Sequence, residues 1–139
     1  MIETRYADEN DLEWLLGKDD VTREWGTRCV RHREYIIAHA DGNRVGFLRY
    51  SLFWGKVPYM DMIRVLAEHR NQGTGTALFK FWEMEMRRVN RKLLMTSSQE
   101  NEPEPQAWHV RNGFFKSGRM TFGRLQTIPE VFFVKELQE

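Results

Sequence analysis

Val65-Leu66-Ala67-Glu68-His69-Arg70-Asn71-Gln72-Gly73-Thr74-Gly75-Thr76-Ala77-Leu78 is the stretch that decides the fold. Its first residues close an apolar run, Val57–Leu66, that reads as a β-strand. Its last residues open a helix in which Ala77, Leu78, Phe81, Trp82, Met84 and Val89 form a broad apolar face that ends near Asn90. Gly73 and Gly75 at the joint let backbone amides point outward at a helix N-terminus, where the helix dipole favours an anion. Lys92–Ser97 then reads as a buried strand, and strand, glycine turn, helix, strand in that order implies a right-handed parallel crossover. No Gly-Lys-Ser/Thr follows, so this is not a Walker loop, and Leu78 stands where a dinucleotide fingerprint needs its third glycine. On the glycines alone, a phosphate cradle and a plain tight turn fit equally.

Upstream, a short strand near Ile2–Tyr6 is followed by Asp8 as an N-cap and by Leu12, Leu15 and Leu16, a helical stripe that places a helix near Glu9–Leu16. Asp19-Asp20 repeat the start signal, and Val21, Trp25 and Cys29 recur every four residues, which predicts a second helix over Val21–Arg33 with those three on its inner face. Tyr35–Ala40, the turn Asp41-Gly42-Asn43 and Val45–Trp54 read as a hairpin, and Val57–Leu66 adds the third strand of an antiparallel meander. Downstream, Pro103 and Pro105 open a helix that stops at Gly113, and Phe114–Met120 and Val131–Leu137 read as closing strands. The expected fold class is α/β, a mixed α+β sheet in a single domain over residues 1–139.

Composition narrows the function classes. The 21 Lys plus Arg against 20 Asp plus Glu leave a net charge of +1, which disfavours a dedicated nucleic-acid binder. An aromatic content of 13% belongs to a globular chain rather than a disordered one. No apolar run reaches the ~20 residues that cross a bilayer, and the acidic start is no signal peptide, so no membrane association is expected. The single cysteine, Cys29, forms no internal bridge and points to a reducing, cytoplasmic setting. His32, His39 and His69 lack metal-ligand spacing, and no metal is expected.

Arg70-x-x-Gly73-x-Gly75, preceded by Val65, resembles the acyl-CoA loop of the GNAT (Gcn5-related N-acetyltransferase) family. Ala107-Trp108-His109-Val110-Arg111-Asn112-Gly113-Phe114 is similar to that family's second signature, a short helix ending in Gly-Phe. The order of elements fits essentially the whole chain. The resemblance implies transfer of an acetyl group from acetyl-CoA to a primary amine by direct attack in a ternary complex. It implies that backbone amides of Gln72, Gly73, Thr74 and Gly75 hold the pyrophosphate, with Arg70 and Thr76 supporting the loop. It also implies that backbone groups of Ile63 and Val65 pair with the pantetheine arm, and that this strand and the next splay apart. Asn101 lies near a family asparagine that bonds the cofactor arm, one residue off its usual spacing.

Two departures from the family's pattern matter, the first for local stiffness more than for chemistry. Ala67 replaces a usual proline, and His109 stands where a tyrosine commonly protonates the departing thiolate. Imidazole can donate or accept, so His109 is a candidate acid, with a packing residue beside Trp108 as the plainer reading. Asp61 lies nine residues before Arg70, where many members carry glutamate, and alternates in phase with Ile63 and Val65. It is a candidate base or anchor for the amine, against a buried aspartate bonded to backbone, Arg49 or Arg64. The acceptor, a small molecule or a peptide amine, is not specified; Glu100, Glu102 and Glu104 suit a cation or are simply solvated. A non-catalytic acyl-CoA-binding module on the same fold is the alternative, and a nucleotide domain using Glu100 on a ribose is a weaker one. The aromatic last strands leave a homodimer open.

Overall fold

A computed structural model describes residues 1–138. Its strands are β1 (Ile2–Tyr6), β2 (Tyr35–Ala40), β3 (Asn43–Phe53), β4 (Val57–Val65), β5 (Leu93–Gln99), β6 (Phe115–Phe122) and β7 (Gln126–Glu136). Its helices are α1 (Leu12–Lys18), α2 (Arg23–Arg31), α3 (Thr74–Arg88) and α4 (Pro103–Arg111). The hydrogen-bonded strand order is β1-β2-β3-β4-β5-β7-β6. The chain groups into two compact units, Met1–Ser51 with Met62–Glu85, and Leu52–Asp61 with the chain from Met86 onward.

In the first unit β1, β2 and β3 pair antiparallel, from Ile2↔Ala40 and Tyr35↔Arg49 outward. The predicted hairpin turn has positive φ at Asp41 (52°) and Gly42 (82°), the pair of angles that a two-residue turn matched to strand twist demands. Leu15, Cys29, Tyr35, Ile37 and Phe47 form the core, with Trp14, Val30 and Met62 packed on it. Burying one such side chain stabilises the fold by about 1.5–3 kcal/mol.

The N-terminal helices begin elsewhere than the sequence pattern suggests. Asp8 does cap, its carboxylate accepting from Asn10 N at 2.9 Å, but it opens a 3-10 turn, Glu9–Asp11, before α1. Asp11 completes a capping box and is itself fully buried, receiving Arg5 at 2.7 and 2.9 Å and Arg44 at 2.8 Å. Burial opposes its ionisation, yet the bonds from Arg5, the Asp8 backbone and Arg44 hold its carboxyl well below the usual carboxylate range. Asp19 ends α1 rather than starting α2, and its carboxylate accepts from Tyr35 Oη at 2.5 Å and Arg49 Nε at 2.7 Å. The cap of α2 is Thr22, whose hydroxyl accepts from Trp25 N at 3.1 Å. Its buried face is therefore Gly26 and Cys29, and Trp25 is 42% exposed with Arg28 stacked over its ring. A four-residue repeat had put Trp25 inside; the buried face instead centres on Gly26 and Cys29, three residues apart, and Trp25 falls beside it.

In α3 the buried positions are Leu78, Phe79, Trp82 and Met86, whereas Met84 and Val89 are exposed. Phe79 packs on Trp82 at 6.1 Å and Trp82 on Tyr50 at 5.8 Å, so Phe79 takes the place expected of Met84. Gly46 of β3 lies where backbones nearly touch: a Cβ there would sit 2.7 Å from the Arg64 carbonyl oxygen and 3.4 Å from Leu78 and Thr74.

In the second unit the first half of β4 pairs parallel with β5, as the crossover predicts. β7 lies between β5 and β6 and pairs antiparallel with both, from Leu93↔Glu136 to Gln99↔Glu130 on one side. α4 starts at Pro103, where a missing amide hydrogen costs nothing, and ends before Gly113 at φ 94°. Lys135 Nζ donates to the Asn112 carbonyl at 2.9 Å and closes that end.

Candidate active site

The glycine loop of the first unit is built by the end of β4. Arg70 turns back, its Nε donating to the Val65 carbonyl at 3.3 Å, after a 3-10 turn over Ala67–His69. Asn71 (φ 62°) and Gly73 (φ 86°) then take left-handed backbone conformations, which reverse the chain into α3. A Cβ at Gly73 would meet nothing within 4 Å, so the glycine is needed for its angle and not for space. Gln72 and Gly73 are exposed, Gly75 and Thr76 half-buried, and Ile63 and Val65 half-buried on β4.

Thr74, the first residue of α3, is only 2% exposed, and its hydroxyl has no hydrogen-bond partner among the described residues. A buried hydroxyl at the start of a 15-residue helix, with no acidic side chain in the first turn, is an uncompensated polar group at the positive end of a dipole. This arrangement fits a phosphate-bearing group: the amides of Gln72 to Gly75 and the Thr74 hydroxyl are the donors that would hold the pyrophosphate of acetyl-CoA.

In the second unit the parallel ladder between β4 and β5 holds only Tyr59↔Met95 and Met60↔Thr96 among the described residues, although β4 runs on to Val65 and β5 to Gln99. Pairing stops just before Asp61. Thr96 Oγ1 donates to the Met60 carbonyl at 3.1 Å and secures the last paired step. Asp61 is half-buried, and two residues before it the Tyr59 ring lies against Phe132 at 6.4 Å.

His109 lies on the opposite face. It is 4% exposed, packed on Phe133 at 5.2 Å, Trp108 at 5.8 Å and Phe114 at 6.0 Å, and neither ring nitrogen has a hydrogen-bond partner among the described residues. Burial pushes its pKa down to about 4, with the Ser97 backbone opposing the shift weakly. The imidazole is therefore neutral at pH 7. Asn101 is exposed in the turn between β5 and α4, which Gln106 staples by donating to the carbonyls of Gln99, Glu100 and Glu102. Glu100 is paired with Arg119.

Sequence reasoning passed over one polar cluster in the second unit. Tyr59 Oη and Ser97 Oγ share a hydrogen bond, Ser97 Oγ donates to Glu130 Oε2 at 2.6 Å, and Gln126 Nε2 donates to Glu130 Oε1 at 2.9 Å. Tyr59 lies only two residues before Asp61 on β4, which was a readable signal. Glu130 was hidden because the last strand begins at Gln126, five residues before the apolar run that marked it.

Residues 1–114 match the Acetyltransferase (GNAT) family. The chain belongs to that family and is an acetyl-CoA-dependent acetyltransferase. Among curated proteins, no sequence matches. Solved structures share the fold: Ard1 from Thermoplasma volcanium at TM-score 0.83 and 15% identity, with 99% of each chain covered. The ribosomal-protein-S18-alanine N-acetyltransferase from Escherichia coli gives 0.84 and 12%, covering 100% of this chain and 96% of that one. YncA from Salmonella typhimurium, solved with its cofactor acetyl-CoA, gives 0.81 and 16%, covering 100% and 95%. Among the described residues no helix is long and apolar enough to cross a membrane.

Proposed function

We propose that the chain acts as one acyl-CoA N-acyltransferase domain over residues 1–139 and moves the acetyl group to a primary amine by direct attack in a ternary complex. The observation that carries this reading is the start of α3, where left-handed Asn71 and Gly73 and the partnerless buried hydroxyl of Thr74 make a ready anion cradle. Gln72, Gly73, Thr74 and Gly75 hold the pyrophosphate in this reading, Arg70 and Thr76 support the loop, Ile63 and Val65 offer backbone groups to the pantetheine arm, and Asn101 bonds it further along. Bound acetyl-CoA supplies the thioester whose acetyl carbon the amine attacks, the C–N bond forming as the C–S bond breaks.

Asp61 anchors the incoming ammonium and takes its proton, leaving the lone pair free for attack. The end of pairing at Met60 leaves backbone near Asp61 available to polarise the thioester carbonyl. His109 holds the family's acid position as a neutral ring, which offers an N–H but does not give up a proton near pH 7. The lone buried Cys29 suits a reducing, cytoplasmic compartment. The test is thermal unfolding with acetyl-CoA, CoA and NAD. Either CoA species at ~100 times its Kd adds about 2.7 kcal/mol and raises the midpoint, whereas NAD does not. Gly73→Val abolishes the rise, and no rise in the wild type would remove the cofactor site and the reading with it.

A further inference from the structure

We infer that the amine acceptor carries an apolar, ring-sized substituent, and that Glu130 receives its ammonium group. The inference rests on the amine-acetylation reading above and names the substrate class of that site. A cavity of about 580 Å³ opens in the second unit on the face of the sheet that bears Tyr59. Phe53, Tyr59, Met95, Met120, Phe122 and Phe132 give it a lining of aromatic rings and thioethers, and the guanidinium of Arg119, which also lines it, is paired with Glu100. That volume falls within the range of small-molecule pockets and far exceeds what water or an acetyl group alone would need.

Tyr59, one of the lining rings, leads by its hydroxyl into a polar cluster. Tyr59 Oη meets Ser97 Oγ, and Ser97 Oγ passes its hydrogen to Glu130 Oε2 at 2.6 Å. Gln126 holds the other carboxylate oxygen at 2.9 Å and also donates to the Ile128 carbonyl at 2.8 Å, so the Glu130 side chain is fixed from two sides. Both donors to Glu130 are neutral, and no cationic side chain pairs with it among the described residues. By contrast the neighbouring Glu100 already has Arg119.

A carboxylate held in place by neutral donors, and joined through Ser97 to a ring that lines an apolar cavity, is complementary to a cation on an apolar body. A primary ammonium donates three hydrogens, enough for both Glu130 and Ser97. The apolar substituent then runs along Tyr59 and Phe132 toward Met120 and Phe122 on the outer strand. A peptide N-terminus with small, polar first residues would leave that cavity unfilled.

The test is calorimetric titration of the CoA-loaded protein with 2-phenylethylamine, 2-phenylethanol and ethanolamine, alongside turnover of the same amines and of an alanyl peptide. The expected result is binding of 2-phenylethylamine that Glu130→Gln weakens about tenfold while binding of the alcohol is unchanged, since only the charge on the acceptor is lost. Phe122→Ala, on an exposed strand, weakens both ring compounds and spares ethanolamine, and it serves if Glu130→Gln misfolds. Acetylation of ethanolamine or the peptide without binding of 2-phenylethylamine overturns this inference and leaves amine acetylation standing. Binding of 2-phenylethylamine that depends on Glu130, with no amine acetylated, overturns the amine-acetylation reading and leaves the cavity assignment intact.

Discussion

His109 makes stability fall on mild acidification. In the unfolded chain its imidazole has a pKa of 6.5, and burial lowers it to about 4 in the fold. Between those values the unfolded chain binds the extra proton, so stability rises with pH: the contribution is present above pH 6.5 and lost as pH falls toward 4. The shift is worth about 3 kcal/mol in full, and about 2 kcal/mol is gone by pH 4.5. At a urea dependence of ~2 kcal/mol per molar, that moves the unfolding midpoint by about 1 M. His109→Leu keeps comparable volume among Phe133, Trp108 and Phe114 and has nothing to titrate. Its midpoint should stay nearly level from pH 7 to 4.5, and at pH 7 it should be more stable by about 1 kcal/mol because two buried nitrogens no longer lack partners. Parallel curves for wild type and variant over that range would refute the reasoning.

Asp11→Ala removes a fully buried carboxylate held by Arg5 and Arg44, and should cost about 2–3 kcal/mol in urea unfolding at pH 7; the two arginines remain partly solvated, which limits the loss. Because its folded pKa is depressed, the Asp11 contribution is present above the unfolded carboxylate value and disappears only below about pH 4, clear of the His109 range. Gly46→Ala places a Cβ 2.7 Å from the Arg64 carbonyl, a backbone atom that cannot swing away, and should cost about 1–3 kcal/mol by thermal unfolding while also weakening acetyl-CoA protection, since Thr74 is the next neighbour. Gly73→Ala meets no atoms but must adopt φ 86°, so its cost is about 1–2 kcal/mol, and a wild-type melting temperature would mean that the loop backbone does not depend on that angle.

The sequence made the strands and the glycine loop readable because these are written in local chemistry. Asp41-Gly42 favours a turn, and Pro103 suits the first turn of a helix. Which helix face is buried was less legible, because a short apolar repeat fits more than one centre for the stripe. In α2 that centre is Gly26 and Cys29, a glycine and a cysteine, and the larger Trp25 lies outside it. The polar cluster around Glu130 was not legible at all: Tyr59, Ser97 and Glu130 come from three strands, and their meeting depends on β7 entering between β5 and β6. Asp61 was legible as an acid within β4, whereas the burial of His109 depends on Phe133, a residue 24 positions away.

In the proposed reading, where His109 stands at the family's acid position, the exchange of a tyrosine for it changes what that position can contribute. A phenol with its ordinary pKa near ~10 is protonated at pH 7 and can give its proton to a departing thiolate. An imidazole that titrates near 4 carries no such proton at pH 7, and the remaining N–H of its neutral ring is far too weak an acid to transfer. The thiolate must then collect its proton from solvent, or leave unprotonated, which a thiol with an ordinary pKa near ~8.5 tolerates well. Two consequences follow for kinetics with an amine in hand. His109→Phe should lower kcat by at most about tenfold, where removal of a working general acid costs about a hundredfold or more. The pH profile of kcat/KM should contain no limb that the variant removes between pH 5.5 and 7.5. A limb near 6.5 in the wild type that vanishes in His109→Phe would mean that the ring is charged in the working enzyme. In that case the acid role belongs to His109, and cofactor binding must open its apolar surroundings to water or bring a counter-charge against it.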